Sequence, residues 1–405
     1  MRPATLKRSI GFGLLTLYGL GTILGAGIYV LIGEVARVAG AATPAAFMLA
    51  GLIAGFSALS YAELCSRLPK SAGEAAYVEA AFGLPFAAVL TGWAVIATGV
   101  VSAATLARGF VGYLEVFVNL PDALVLAGLV AGLAALAAWG IAESLWAAGI
   151  VTAIEALGLI GVCIVARDAL GAPPDRWAQM LPGIDVGVWA GVLSGAFVAF
   201  YAYIGFEDMV NIAEEVIEPE RTLPRAIVAA LVLSMVLYLL VTVVASLALP
   251  IDALAAADAP MALVVESRGY SPQYIALVGL FAVLNGALVQ LVMASRVLYG
   301  LGAQGLAWSA MAYVHAGRRT PIAAIALAAG LILAFAFLLP LVRLAQITSF
   351  IALAIFTTMN LSLIVLKRRD AAAFTVSPLV PVVGAALAGG MLAIQLAATL
   401  GAWTR

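Results

Sequence analysis

Apolar runs of membrane length, separated by short charged or turn-forming segments, fill this sequence from end to end. A helix of about 20 residues crosses a bilayer at 1.5 Å per residue, and only helices or closed barrels satisfy their backbone groups in lipid. Eleven such runs can be read, at 10–36, 44–65, 86–117, 123–141, 145–166, 188–212, 223–249, 272–301, 321–339, 344–366 and 378–403. Charged residues make up 10% of the chain, against about 25% in a soluble domain. The expected class is therefore an all-α polytopic membrane protein with about 11 transmembrane helices.

The remaining composition removes several functions. A net charge of -1 with dispersed charges offers nothing to nucleic acid. Cys65 and Cys163 both fall in apolar runs, so neither a disulfide framework nor a metal site is indicated. The single histidine, His315, sits beside Arg318 and Arg319 and reads as an interfacial residue. No metal or cofactor is expected, and an enzyme would lack a nucleophile and base. Arg2, Lys7 and Arg8 before an apolar run imitate a signal peptide, but the run passes Gly33, longer than the roughly 7–15 residues of a signal core. It is read as a retained first span. With the N-terminus inside, inner segments hold 13 of the 20 lysines and arginines, which predicts a multi-pass cell (inner) membrane protein with a cytoplasmic N-terminus.

Residues 19–30, Gly-Leu-Gly-Thr-Ile-Leu-Gly-Ala-Gly-Ile-Tyr-Val, place four glycines inside the first run. Glycine there bares backbone either for a neighbouring helix or for a ligand, and Gly19, Gly21 and Gly25 alone fit close helix packing. Residues 197–211 interrupt the sixth run in the same way: Glu207 and Asp208 follow Gly205 in an otherwise apolar span. Interruptions five spans apart are the pattern of a transporter with inverted repeats and a midplane site between broken helices. The amides that open the second half of span one can hold a carboxylate, and the carbonyls near Tyr201 and Ala202 can accept an ammonium. Such a site suits a zwitterion.

Three stretches carry a resemblance: Gly-Thr-Ile-Leu-Gly-Ala-Gly-Ile-Tyr-Val (21–30), Phe-Tyr-Ala-Tyr-Ile-Gly-Phe-Glu-Asp (200–208) and Glu-Glu-Val-Ile-Glu-Pro-Glu-Arg-Thr-Leu-Pro-Arg-Ala-Ile (214–227). They resemble the amino acid–polyamine–organocation (APC) superfamily of permeases, as do residues 67–83 and 293–305. The resemblance implies a LeuT-like 5+5 inverted repeat with broken helices 1 and 6. The first repeat would be 1–166, the second 188–366, with an additional helix at 378–403. It further implies that the amides of Ala26 and Gly27 take the substrate carboxylate and that the carbonyls of Ile23, Phe200, Tyr201 and Ile204 take its amine, beside Gly25 and Ala202, which the reading of the two breaks already places at the site. Tyr201 and Tyr203 would be gate or pocket aromatics. Family members often carry Ser where this chain has Ala26, so one hydroxyl contact is missing.

The charged residues have separate readings. Glu214, Glu215, Glu218 and Glu220 alternate with Arg221 and Arg225, either an inner gate of rearranging ion pairs or a solvated turn. Glu207 is assigned to the span-six helix and the same gate network, with contact to a cationic or polyamine substrate as the alternative. Glu63, Glu74 and Glu79 read as a solvated amphipathic segment. Glu155 lies mid-span among apolar residues; burial disfavours its charged form, as a proton carrier requires, and a constitutively protonated bridging acid is the alternative. Asn285, Gln290, Gln346, Thr348 and Ser349 read mainly as interhelical hydrogen-bonding groups. Ser295 alone is thin ground for a sodium site.

The expected activity is secondary active transport of an amino acid, or an amine, by alternating access with the proton as coupling ion. An exchanger shares every feature except Glu155, and a transport-dead sensor or a channel shares the fold.

Overall fold

A computed structural model describes residues 8–25, 27–69, 73–139, 145–315, 318, 320–369 and 373–403. In chain order the helices are α1 (Phe12–Leu24), α2 (Gly27–Ala39), α3 (Thr43–Arg67), α4 (Gly73–Phe82), α5 (Pro85–Glu115), α6 (Asp122–Trp139), α7 (Leu145–Val165) and α8 (Pro174–Gln179). There follow α9 (Val186–Phe200), α10 (Pro219–Ala248), α11 (Ile251–Ala256), α12 (Pro260–Glu266), α13 (Gln273–Ala303), α14 (Ile322–Leu338), α15 (Leu341–Leu366) and α16 (Leu379–Trp403). Two 3-10 segments, Tyr201–Tyr203 and Phe206–Glu215, continue α9. Among the described residues nine stretches are long and apolar enough to cross a membrane, and one of them, Phe12–Arg67, joins α1, α2 and α3. Counting that stretch as two passes and adding the shorter α14 gives the eleven expected. The last apolar run is a single helix.

These helices invert the soluble pattern: apolar residues face outward and small residues line the seams. Along α10, Ala230, Ser234, Tyr238, Val241 and Ala245 are fully buried, whereas Val232, Leu233, Val236 and Leu240 are about half exposed. The buried set repeats every three or four residues, so one stripe of α10 enters the bundle and the other presents lipid-compatible surface. The centre is built from crossed pairs. α5 packs along α13, α3 along α10, α1 lies against α7 and α10, and α2 lies against α9.

Both interruptions are breaks of the helix axis. α1 ends at Leu24 and α2 starts at Gly27, while α9 gives way to a 3-10 turn and then, past Gly205 at φ 130°, to Phe206–Glu215. Residues 214–227 are anchored through backbone. Ser9 N and Ile10 N donate to the Glu215 carbonyl at 2.9 and 3.1 Å, Ile217 N donates to Ile10 O at 2.9 Å, and Glu218 turns the chain at φ 48°. This loop therefore ties the start of α1 to the second half of the broken span and to α10.

The solvated reading of the loop after span two holds for Glu79, which is exposed, and fails for two of its acids. Glu63 is 0% exposed. Its Oε1 accepts from Arg67 Nη2 and Nε at 2.6 and 3.0 Å, and its Oε2 accepts from Lys367 Nζ at 2.6 Å and Val376 N at 2.8 Å. Partners about 300 residues away remove this carboxylate from water, which spacing along the chain does not reveal. Glu74 is buried in α4 and accepts from the Tyr61 hydroxyl at 3.2 Å.

Burial pushes the Glu74 carboxyl up from 4.5 to about 7, with its own amide and the Tyr61 hydroxyl pulling weakly downward. The unfolded chain releases that proton first, so the folded state binds more protons between the two values. Stability from this group is thus greatest below about 4.5 and declines until the pH passes about 7. Glu74→Gln is expected to gain on the parent protein by up to about 3 kcal/mol as pH rises through that window. Thermal unfolding in detergent between about pH 5 and 8 measures the difference; a gap that stays constant with pH would remove Glu74 from the account.

Candidate substrate-binding site

The two breaks meet. Thr22 Oγ1 lies 2.9 Å from both Gly19 O and Gly205 O, so one hydroxyl bridges the end of α1 and the second break. A Cβ built on Gly205 would collide with the Thr22 carbonyl, and one on Gly27 would lie 2.5 Å from Ala202 Cα. Gly205 also holds a backbone angle that side chains rarely adopt. Gly19 and Gly21 have a different duty: added side chains there would strike Met209 and Thr152. The close-packing reading thus fits both positions, Gly21 in addition lines the cavity between the breaks, and Gly27 and Gly205 serve the crossing of the broken helices.

A residue not singled out from the sequence holds this crossing in place. The buried Tyr238 hydroxyl on α10 lies 2.8 Å from Ile23 O and 3.0 Å from Ala202 O, donating to carbonyls that the two breaks release from their own helices. The sequence signal was weak: one tyrosine in a long apolar helix, on the small-residue face. Its ring packs edge-on to Tyr203, with centroids 5.1 Å apart.

Between the breaks lies a cavity whose empty space, its open mouth included, is about 530 Å³. Ile23, Gly25, Gly27, Tyr201 and Ile204 line it, together with Tyr18, Gly21, Thr22, Ser102, Thr152, Asn285 and Gln290. Leu106, Ala148 and Val289 supply apolar wall. Asp, Glu, Lys and Arg are absent from this lining among the described residues. Ala26 lies outside the described residues. The side chains of Phe200, Ala202 and Tyr203 pack outside this lining: Phe200 on Phe356 at 5.6 Å, Ala202 under Gly27, and Tyr203 against Tyr238 and Gly51.

One wall is closed by Tyr201, whose hydroxyl sits 3.0 Å from Ser102 Oγ and donates to Ser102 O at 3.1 Å. On the opposite side the acids of the broken span support backbone and neighbours. Glu207 Oε2 accepts from Gly205 N at 2.8 Å, a local cap on the second half-helix, and Asp208 Oδ2 accepts from Gln290 Nε2 at 3.1 Å. Gln290 Oε1 has no partner and belongs to a side chain on the cavity wall, so it offers an acceptor there. Asn285 and Gln290 therefore belong to the cavity, whereas Thr348 bonds within its own helix and Ser295 bonds to Val292 O. Arg221 is exposed, Glu215 contributes its carbonyl to the loop described above, and the Glu214 side chain lies outside the described residues.

Glu155 lies on α7 one turn beyond Thr152. It is 0% exposed; among the described residues neither carboxylate oxygen has a hydrogen-bond partner of ordinary geometry, the Asn285 side chain being the polar group beside it, while its carbonyl accepts from Tyr29 at 2.8 Å.

This geometry can bind a zwitterion with backbone groups and surround its side chain with neutral wall. Residues 10–400 match the family model described as amino acid permease. The chain belongs to the amino acid permease family, within the APC superfamily. The permease is 30% identical over 391 residues to the branched-chain amino acid permease BcaP of Bacillus subtilis, covering 90% of this chain and 82% of that protein. It is 31% identical over 388 residues to human cationic amino acid transporter 4, covering 90% of this chain and 60% of that longer protein. It is also 29% identical over 414 residues to the methylthioribose transporter of Bacillus subtilis, covering 96% of this chain and 88% of that protein.

Proposed function

We propose that this permease is a secondary transporter carrying a neutral amino acid across the cell membrane by alternating access, coupled to protons through Glu155. The carrying observation is the cavity between two broken helices whose walls, among the described residues, bear backbone groups, hydroxyls and amides but no charged side chain. The amides that open α2 are the carboxylate site, because the first turn of a helix lacks carbonyl partners and bears the positive end of the dipole. The ammonium is held by carbonyls at the ends of α1 and α9. A lysine or arginine substrate would bury its second charge in a neutral wall without compensation, which favours the branched-chain relative's class over the cationic one's.

Alternating access follows from two repeats, 1–166 and 188–366, with 378–403 as an added helix and the N-terminus cytoplasmic. The pairings of α5 with α13 and α3 with α10 support this division, since each matches a helix to its counterpart five spans later. The hinges are Gly25 to Gly27 and Ala202 to Gly205. Glu207, Glu214, Glu215 and Arg221 form the inner gate region, working through the cap on Gly205 and the anchored loop.

Glu155 is the proton-carrying group because it is the one buried carboxylate on α7, beside the cavity's Thr152, and lacks a cation. In proteoliposomes, Glu155→Gln is expected to abolish accumulation driven by an inward proton gradient while leaving exchange against internal substrate intact. Unchanged rate and pH dependence of uptake would end the proton assignment.

A further inference from the structure

A second cavity, of about 440 Å³ with its open mouth included, sits at the C-terminal end of α10, walled by Arg176 and Gln179 of α8, by Ser246 of α10 and by the first residue of α11. Ser246 on that wall is 2% exposed, and among the described residues its hydroxyl has no hydrogen-bond partner. Hydroxyls inside an apolar helix ordinarily return to the carbonyl one turn back, as Ser234 and Thr242 do in this same helix at 2.9 and 2.7 Å. Ser246 departs from that habit, leaving a donor in the cavity wall.

Arg176 is fixed beside it. Its Nη2 donates to Ser246 O at 2.9 Å and Leu249 O at 3.3 Å, so the guanidinium caps the end of α10. Among the described residues no carboxylate pairs with Arg176. A guanidinium retains further N–H groups after two such bonds. With the Gln179 amide, the wall therefore presents cationic and neutral donors to one space. An anionic oxygen is the complement.

The surroundings select the source of that oxygen. The chain just after α8 exposes large apolar side chains, with Leu181 74%, Val186 82% and Ile184 fully exposed, and Trp177 is 39% exposed on α8 itself. Among the described residues Ala169, Met180 and Leu247, with Ala172, Val243 and Ala248 packed on them, form a small apolar cluster separate from the main core. A donor-lined recess at a helix end, rimmed by exposed aliphatic residues and tryptophan, fits the boundary between phosphate and acyl chain. We propose that this cavity binds the phosphodiester headgroup of a phospholipid, with Arg176, Gln179 and Ser246 donating to its oxygens. The site is distinct from the cavity between the broken helices.

The test is lipid retention through detergent purification, counted by native mass spectrometry after titration with phosphatidylglycerol or with diacylglycerol. Phosphatidylglycerol is expected to be retained and diacylglycerol lost. Arg176→Gln should weaken retention about fivefold and Ser246→Ala about tenfold, with Arg176→Lys intermediate and uptake still saturable in each variant. Equal retention of the two lipids, or of phosphatidylglycerol by parent and Ser246→Ala proteins, would overturn the proposal. Full displacement by inorganic phosphate or by an amino acid would overturn the lipid source, assigning the cavity to a small anion or to substrate.

Discussion

Gly205→Ala and Gly27→Val are expected to reduce amino acid uptake at least about tenfold, while the protein still inserts and purifies. A side chain on Gly205 meets the Thr22 carbonyl and also strains φ at 130°; one on Gly27 meets the Ala202 backbone at 2.5 Å. Neither obstacle is the movable end of a side chain, so the crossing of the two broken helices must open. That shift would pull Ile23 O and Ala202 O away from the shared Tyr238 hydroxyl. Gly128→Ala supplies the contrast, because its added Cβ meets nothing within 4 Å. Radiolabelled uptake normalised to protein in the membrane decides the matter. Full activity in Gly205→Ala would show that the crossing is not needed for transport.

Glu63→Ala is expected to cost about 3–5 kcal/mol of stability, because it removes the carboxylate that balances the charge of two buried or nearly buried cations. Arg67 and Lys367 have side chains only 8% and 14% exposed, and both point at Glu63 oxygens 2.6 Å away. The same carboxylate receives the Val376 amide, so one residue fastens α3, α15 and the segment leading to α16. Glu63→Gln keeps the acceptor for Val376 but loses the charge, and should fall between alanine and the parent. Detergent thermal unfolding, with yield as a second readout, separates the three proteins. Equal melting of Glu63→Ala and the parent would mean that the cluster is a surface ornament.

The extent of each span was legible from the sequence because lipid imposes length and apolarity on every crossing segment. Both breaks were legible for a related reason. Glycine clusters and an adjacent acid pair have no use in an uninterrupted apolar helix, and 21–30 and 200–208 contain them. What happens beyond a break was less legible. Past Phe200 the chain leaves α-helical periodicity for 3-10 turns, so spacing no longer states which way a side chain points. Tyr201 reached the cavity while Phe200, Ala202 and Tyr203 turned to the packing behind it.

Long-range partners were also hidden. Glu63 reads as one more charge at a span end until Lys367 is brought beside it by the packing of α3 on α15. Tyr238 looks like an ordinary apolar-span tyrosine until two released carbonyls converge on its hydroxyl. Asn285 and Gln290 were undervalued because a polar group in a transmembrane helix usually meets another helix, and Gln290 meets both a helix partner and the cavity.

The most direct test of a neutral-substrate carrier is uptake of leucine and of lysine into proteoliposomes holding the parent protein, with and without an inward proton gradient. The account predicts saturable leucine uptake that accumulates with the gradient, and lysine uptake near background. Saturable lysine uptake in preference to leucine, or no saturable uptake of either, would contradict it.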